Sequence, residues 1–271
     1  SIVRESGNID LNSKLSDGNI FNLNEKYEIE IEIDNEKITE ITGQNLEILL
    51  KKVIKFIMSG LQETNYPIGQ NEMNIITREY YNLTKGKDYK INKIEPRDFI
   101  GPSSSTLQII NISTKNEDSD IVNIRNNYTV TDKADGERKL LYISDKGKIY
   151  LITTSLNIQF TGSITKNKKL YESLIDGEHI LYNRNGEFIN LYASFDLYYI
   201  NGKDIRNLEF VPSEQSDLEN RFRLPLLTNV ISGIEAKLIG TNNLPPIRID
   251  IKKFYETNTR QTIFQACNMI N

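Results

Sequence analysis

Tyr128-Thr-Val-Thr-Asp-Lys-Ala-Asp-Gly-Glu-Arg-Lys-Leu-Leu-Tyr-Ile-Ser144 is the stretch on which the reading of this chain turns. A short β-prone run, Tyr128 to Thr131, enters a polar turn, and an alternating run from Lys139 to Ser144 leaves it. Inside the turn lies Lys133-Ala134-Asp135-Gly136-Glu137-Arg138, the pattern Lys-x-Asp-Gly-x-Arg. A lysine presented this way suits attack on phosphorus once a neighbouring cation, partial burial or a metal favours its neutral amine. Arg138 offers a planar donor fork for ribose or phosphate oxygens, Asp135 can orient the lysine, and Gly136 lets backbone approach a ligand closely. The same six residues also read as a charged hairpin turn, since Asp-Gly is a common turn pair.

Working upstream, Tyr27-Glu-Ile-Glu-Ile-Glu-Ile-Asp34 alternates with strand period, placing Glu28, Glu30 and Glu32 on one face and Ile29, Ile31 and Ile33 on the other. Three carboxylates in a row repel unless the face is solvated or holds cations. Either it is the wet side of an antiparallel sheet, or it is a metal-binding row inside a barrel. From Asn45 to Thr64 the apolar residues Leu46, Leu49, Leu50, Val53, Ile54, Ile57 and Leu61 recur at helical spacing, a stripe expected to pack in a core. A second helix is expected over Glu72–Leu83. The Pro/Gly-bearing segment Lys93–Pro102 reads as a connection between domains.

Downstream, Asp145–Lys148, Asn183–Gly186 and Asn201-Gly202 carry hairpin-turn chemistry. Between the first two lies Asp176-Gly177-Glu178, flanked by apolar residues, and the third is preceded by a β-rich run with Phe195-Asp196. His179 adjoins Glu178, so alternation turns it to the opposite face, as a structural or exposed residue. With one histidine and one cysteine, zinc sites and Ser/Cys–His triads are excluded. Ser216-x-x-Glu219 is a capping box opening a short helix with Arg221 and Arg223. Ile247–Tyr255 alternates like a strand, and Asn258–Ile270 reads as a helix with Ile263, Phe264, Cys267 and Ile270 inward. Arg4 and Lys14 read as surface charge, Lys115–Asp120 as a polar loop.

Lys133 to Arg138, Asp176 to Glu178 and Phe195-Asp196 together resemble the motifs of the covalent nucleotidyltransferases, the messenger-RNA capping guanylyltransferases and ATP-dependent polynucleotide ligases. The glutamate-rich stretch resembles the last motif of the triphosphate tunnel RNA 5′-triphosphatases. That order in one chain is similar to the fused capping enzymes of giant viruses and cytoplasmic plasmids. The resemblance implies that Lys133 forms a lysyl-GMP intermediate from GTP. It implies that Asp135, Gly136, Arg138 and Glu178 contact the nucleotide and that Phe195 stacks on the purine. It further implies that Glu28, Glu30 and Glu32 hold Mg2+ or Mn2+, and that an RNA 5′ end accepts the GMP. A methyltransferase domain or subunit downstream, and a cytoplasmic setting (a viral factory or virion), follow from the same likeness.

The expected fold is α+β: an antiparallel β-rich nucleotidyltransferase domain over 93–271, preceded over 1–92 by the tail of a triphosphatase β-barrel. An acidic-Gly strand, a lysine-bearing apolar strand and an OB-fold lid, which the superfamily places later, are not found before Asn271, so the chain reads as a fragment. Composition agrees with a folded protein: 38% hydrophobic and 26% charged residues, with net charge −4. No run of about 18 apolar residues is present, so no membrane helix is expected. Two other functions stay open: an ATP-dependent DNA or RNA ligase, and a non-catalytic β-rich binding module.

Overall fold

The structure, a computed structural model, describes residues 2–3, 26–34, 41–114, 121–125, 128–212, 221–239, 246–256 and 262–270. Arg4, Lys14, the loop 115–120 and the capping box at 216–219 lie outside these residues. The chain divides into two units, Ser1–Ile54 and Lys55–Asn271. In the first, β1 (Ile2–Val3) pairs antiparallel with β2 (Lys26–Tyr27). The strand expected to continue through Asp34 does not form. Residues 28–34 leave the ladder; Glu28, Glu30 and Glu32 are exposed, and so are Ile29, Ile31 and Ile33 at 61%, 43% and 40%. Alternation acquires an inside and an outside only when neighbouring strands pair, and among the described residues β2 has a partner for two residues alone. The helix α1 (Gly43–Leu61) contains the point of division and, against expectation, buries none of its residues.

In the second unit α2 (Gln70–Lys85) buries Ile76, Tyr80 and Tyr81. Although the sequence places α2 in the upstream region, these side chains share a core with Leu140, Tyr142 and Tyr150 of the sheet that follows. A 3₁₀ turn, Pro96–Asp98, comes next. Asp98 accepts from Tyr81 Oη (2.9 Å) and the Glu95 amide, while Tyr80 Oη donates to the Asp98 carbonyl at 2.6 Å. The expected connection at 93–102 is thereby fastened onto α2. Ser103–Ile112 yields only the short helix α3 (Ile109–Ile112).

The strands then follow along the chain: β3 (Thr129–Thr131), which pairs with Phe254–Glu256 in a two-stranded sheet of its own, β4 (Glu137–Ile143), β5 (Lys148–Thr153), β6 (Ile158–Ile164), β7 (Ser173–Tyr182), β8 (Phe188–Ile200) and β9 (Lys203–Asp204). After them come α4 (Arg223–Gly233), β10 (Lys237–Leu238), β11 (Arg248–Ile251), β12 (Phe254–Glu256) and α5 (Ile263–Asn268). Eight strands make one sheet in the order β10-β6-β5-β4-β7-β8-β11 with β9 on β8; every pairing is antiparallel except β8 with β11. The hairpin turns fall where the sequence put them, with Gly147 and Gly186 at φ +76 and +77 and the pair Asn201-Gly202 at φ +49 and +74.

Central β4 is covered on both faces. Leu140 and Tyr142 meet α2, while Leu141 and Ile143 share a second core with Ile175, Leu197 and, from α4, Leu227 and Val230. Each fully buried side chain of that size contributes about 1.5–3 kcal/mol. In α5 the buried residues are Ile263 and Ala266; Phe264 and Cys267 are exposed, and Arg125 lies over the Phe264 ring at 4.9 Å. With the described helix only six residues long, an i, i+3 pair is all it buries. No helix among the described residues is long and apolar enough to cross a membrane.

One cross-strand contact explains a glycine. Tyr192 of β8 reaches beneath β7, and its hydroxyl accepts from the Leu141 amide at 3.1 Å and lies 2.9 Å from both the Lys139 and Ile175 carbonyls, which share its single proton. A Cβ on Gly177 would lie 2.5 Å from that ring. Gly177→Ala should therefore lower stability by about 1–3 kcal/mol through overpacking. Gly60→Ala, in α1 with open space around it, should leave stability unchanged or slightly raised. Urea unfolding of the two variants checks this; equal effects would remove the role given to Tyr192.

Candidate active site

The β4–β7 register decides which residues can meet. Arg138 stands directly opposite Glu178, and Leu140 opposite Asp176, so Arg138, Asp176 and Glu178 share the face on which α2 packs. Lys139 and His179 fall on the other face, as alternation required. There the Lys139 ammonium is buried, 2.9 Å from Gln159 Oε1, 2.9 Å from Glu137 and 3.5 Å from His179 Nδ1, and His179 Nε2 lies 2.9 Å from Asn190 Oδ1. Burial, with Lys139 adding to it, pushes the His179 pKa down and favours the neutral ring. A neutral imidazole that accepts at Nδ1 donates at Nε2, which matches both contacts.

Arg138 is not a free fork. Its Nε and Nη2 engage Asp176 at 3.1 and 2.6 Å, and Nη1 donates to the Pro102 carbonyl at 2.6 Å. Asp176 is fully buried and also accepts from Tyr198 Oη at 2.5 Å. Burial pushes the Asp176 carboxyl up while Arg138 and Tyr198 pull it back; the same contact raises the Arg138 pKa. The guanidinium lies 5.5 Å from the Phe99 ring centroid and 5.8 Å from that of Phe195, and a Cβ on Gly101 would come within 2.3 Å of Nη2. Arg138 thus joins the sheet to the 99–102 segment. The cavity beside it, about 1030 Å3, is lined among others by Arg97, Phe99, Gly101, Ser103, Arg138 and Arg206.

Phe195 sits at a β-bulge. Asp176 pairs with Asp196 and Gly177 with Ser194, leaving Phe195 as the extra residue on β8. A bulge re-aims a side chain, and here the half-buried ring is bracketed by Arg138 and by Lys252, whose Nζ is 5.9 Å from the centroid. Arg223 braces the bulge, its Nε and Nη2 reaching Asp196 at 2.8 and 3.2 Å.

Lys133 and Asp135 are exposed in the turn between β3 and β4, and Gly136 packs against Ile180 and the His179 carbonyl. A Cβ at Gly136 would lie 2.8 Å from Ile180 Cγ1, so the glycine serves packing as well as the turn. Glu178 carries a buried Oε2 with no hydrogen-bond partner. Its pKa is pushed up by burial and drawn back by the charges of Lys252, Lys133 and Arg138, with Asp132 adding to the rise. The structure therefore brings Lys133, Arg138, Glu178 and Phe195 into one neighbourhood. Glu28, Glu30 and Glu32 are described only as an exposed stretch, and no group of three or more His, Cys, Asp or Glu able to hold a metal occurs among the described residues.

Lys252 is the residue the sequence reading passed over. It was legible only as one position in an alternating run, Ile247–Tyr255. In the fold that run is two strands: β11 runs parallel to β8, and β12 pairs antiparallel with β3, so the chain changes sheets at Lys252-Lys253.

A paired-strand platform carrying Lys-x-Asp-Gly-x-Arg beside a half-buried glutamate with one partnerless buried oxygen defines a nucleotidyltransferase class of site. The family described as "mRNA capping enzyme, catalytic domain" matches residues 111–270, and the chain belongs to that family. The chain is also 31% identical over 220 residues, 81% of its length, to a protein of Acanthamoeba polyphaga mimivirus described as a "Probable mRNA-capping enzyme". It spans 15% of that relative's length. A solved mycobacterial DNA ligase D complexed with ATP and MES covers 52% of the chain, and the match covers 43% of the ligase, with TM-score 0.32 and 14% identity, too slight a likeness to define the fold.

The charges around Glu178 make a titration prediction. Its carboxyl should hold its proton to a higher pH than an ordinary glutamate. Lys252→Met removes the largest cation favouring the carboxylate, so it should move the midpoint higher still. NMR titration of the carboxyl carbon reads both; a midpoint that ignores Lys252→Met would separate the two residues.

Proposed function

We propose that this chain carries out guanylyl transfer in mRNA capping, with Lys133 as the nucleophile. The observation that carries the reading is the convergence of Lys133, Lys252 and Arg138 on Glu178, whose buried oxygen lacks a partner. A triphosphate and an attacking amine need such a setting: fixed cations for the phosphates, and one carboxylate kept open for a ligand. The Lys133 amine attacks the α-phosphorus of GTP, forming a P–N bond as the α–β bridging P–O bond breaks. Pyrophosphate leaves with the electron pair, and the nitrogen sheds a proton to solvent. Protonation of the phosphoramidate nitrogen then makes it a leaving group, and a terminal oxygen of an RNA 5′-diphosphate takes the GMP.

Family membership and the mimivirus relative support capping over ligation. Arg138 serves by holding the Phe99–Pro102 segment and steadying Phe195, since each of its three nitrogens is already engaged. Phe195 is the proposed stacking surface for the purine.

Mg2+ or Mn2+ fits Glu178 in part. Its partnerless oxygen, with Asp132 nearby, would supply one or two ligands, with phosphate oxygens and water supplying the others. When bound it would offset phosphate charge. Glu28, Glu30 and Glu32 are exposed, and among the described residues they form no group able to hold a metal. The RNA 5′-triphosphatase activity of the upstream stretch 1–92 accordingly rests on their alternation and on the order of the motifs. A methyltransferase partner and a cytoplasmic viral setting rest on the same likeness.

The full-length protein incubated with α-labelled GTP and a divalent cation should become covalently labelled. Lys133→Ala should abolish this, and so should Lys133→Arg, because arginine stays protonated. Label from ATP in preference to GTP would turn the reading to a ligase, and label retained in either variant would move the nucleophile elsewhere.

A further inference from the structure

Lys252 and Lys133 lie at the same end of a two-stranded ribbon. The β3–β12 register pairs Thr129 with Glu256, Val130 with Tyr255 and Thr131 with Phe254. Continued two steps past its last pair, that register sets Lys252 across from Lys133. The junction is tied down on both sides: Thr131 Oγ1 donates to the Lys253 carbonyl at 2.8 Å, and the Lys252 amide donates to the Ser194 carbonyl at 2.9 Å. The Lys252 backbone is therefore held by β8 and β3 at once, and its side chain is half-buried against Phe195. Lys253, its exposed neighbour, turns its ammonium over Tyr255 at 4.7 Å, the ordinary fate of a surface lysine at such a corner.

What separates Lys252 from that fate is what it leaves undone. Among the described residues neither Lys252 nor Lys133 makes an ion pair, although the Glu178 carboxylate, with a buried oxygen lacking a partner, lies within reach of both fields. Cations near a half-buried carboxylate with one partnerless buried oxygen would close onto it if stability were the only demand. Kept apart, they leave positive charge on both segments that extend past the end of the β3–β12 ribbon, which suits a phosphate group.

We propose that Lys252 is the phosphate-binding residue of the transfer step, gripping the nucleotide's phosphates from the strand opposite the nucleophile. The inference rests on the nucleotidyl-transfer reading and adds a group to it. Lys252 keeps its proton throughout and forms no bond. Its charge meets the negative charge that builds on the α-phosphate and departing pyrophosphate as the P–N bond forms. Because that charge is larger in the transition state than in bound GTP, its loss should lower the rate more than the binding.

The test uses the full-length protein with Lys252→Met and Lys252→Arg, followed by single-turnover labelling from α-labelled GTP and by direct binding of GTP and of guanosine. Lys252→Met should slow labelling by about a hundredfold, the scale of one lost charge-stabilising donor. It should weaken GTP binding by a smaller factor and leave guanosine binding unchanged. Lys252→Arg should recover much of the rate. Labelling by Lys252→Met at the wild-type rate would overturn the proposal. So would equal loss of GTP and guanosine binding with a lowered melting temperature and no recovery in Lys252→Arg, the mark of a structural lysine. If the wild-type protein takes no label while Lys133→Ala binds GTP normally, the transfer reading has failed. The comparison of GTP with guanosine in Lys252→Met then still decides whether Lys252 holds phosphate.

Discussion

The Asp176 carboxylate, with no exposure to solvent, is the constraint on which the site depends. Removing a carboxylate from water costs several kcal/mol unless its lone pairs are filled and a countercharge is close. Arg138 supplies two donors and the charge, and Tyr198 a third donor. Once this pairing is met, little of Arg138 remains free. Its last engaged nitrogen binds the Pro102 carbonyl, and its flat faces lie near Phe99 and Phe195. One buried charge thus links β4, β7 and β8 to the 99–102 segment, and it lies two residues along β7 from Glu178.

That arrangement sets two neighbouring carboxylates to different tasks. Asp176 is saturated with donors and fixes geometry. Glu178, on the same face of the same strand, keeps a buried oxygen without a partner. Gly177 between them makes room for Tyr192, whose hydroxyl bridges β4 and β7 from below. The platform is stiff because each strand beneath the site is held by side chains as well as by its ladder, which favours a fixed array of charges over one that must reorganise during reaction.

The site is also closed by long-range pairing. β12 and β3 are more than a hundred residues apart in sequence, yet their pairing, with Thr131 bonded to Lys253, fixes where the turn bearing Lys133 starts. The bulge at Phe195 and its brace from Arg223 through Asp196 set the other wall. The turn bearing Lys133 is consequently exposed while its flanks are anchored, as the proposed transfer requires of a nucleophile that meets a nucleotide and then an RNA end.

Much of this was legible in the residues themselves. Period-two alternation and turn chemistry determined β4, β5, β7, β8 and the hairpins between them, because neighbouring strands joined by short turns need only local information. The same alternation separated Glu178 from His179, and the Lys-x-Asp-Gly-x-Arg and Asp-Gly-Glu motifs marked Lys133, Arg138 and Glu178 as residues to watch. Only the tertiary structure decided the rest. It filled the Arg138 fork with Asp176 and Pro102, since a donor set shows its partner only when strands 38 residues apart are paired. It packed α2 on the sheet, left α1 without a buried residue and left the glutamate row at 28–32 exposed, because an apolar or acidic stripe gains an inside only from what covers it. It broke the run at 247–255 into two strands of different sheets, bringing Lys252 to the same end of the β3–β12 ribbon as Lys133 through pairings that no local pattern encodes.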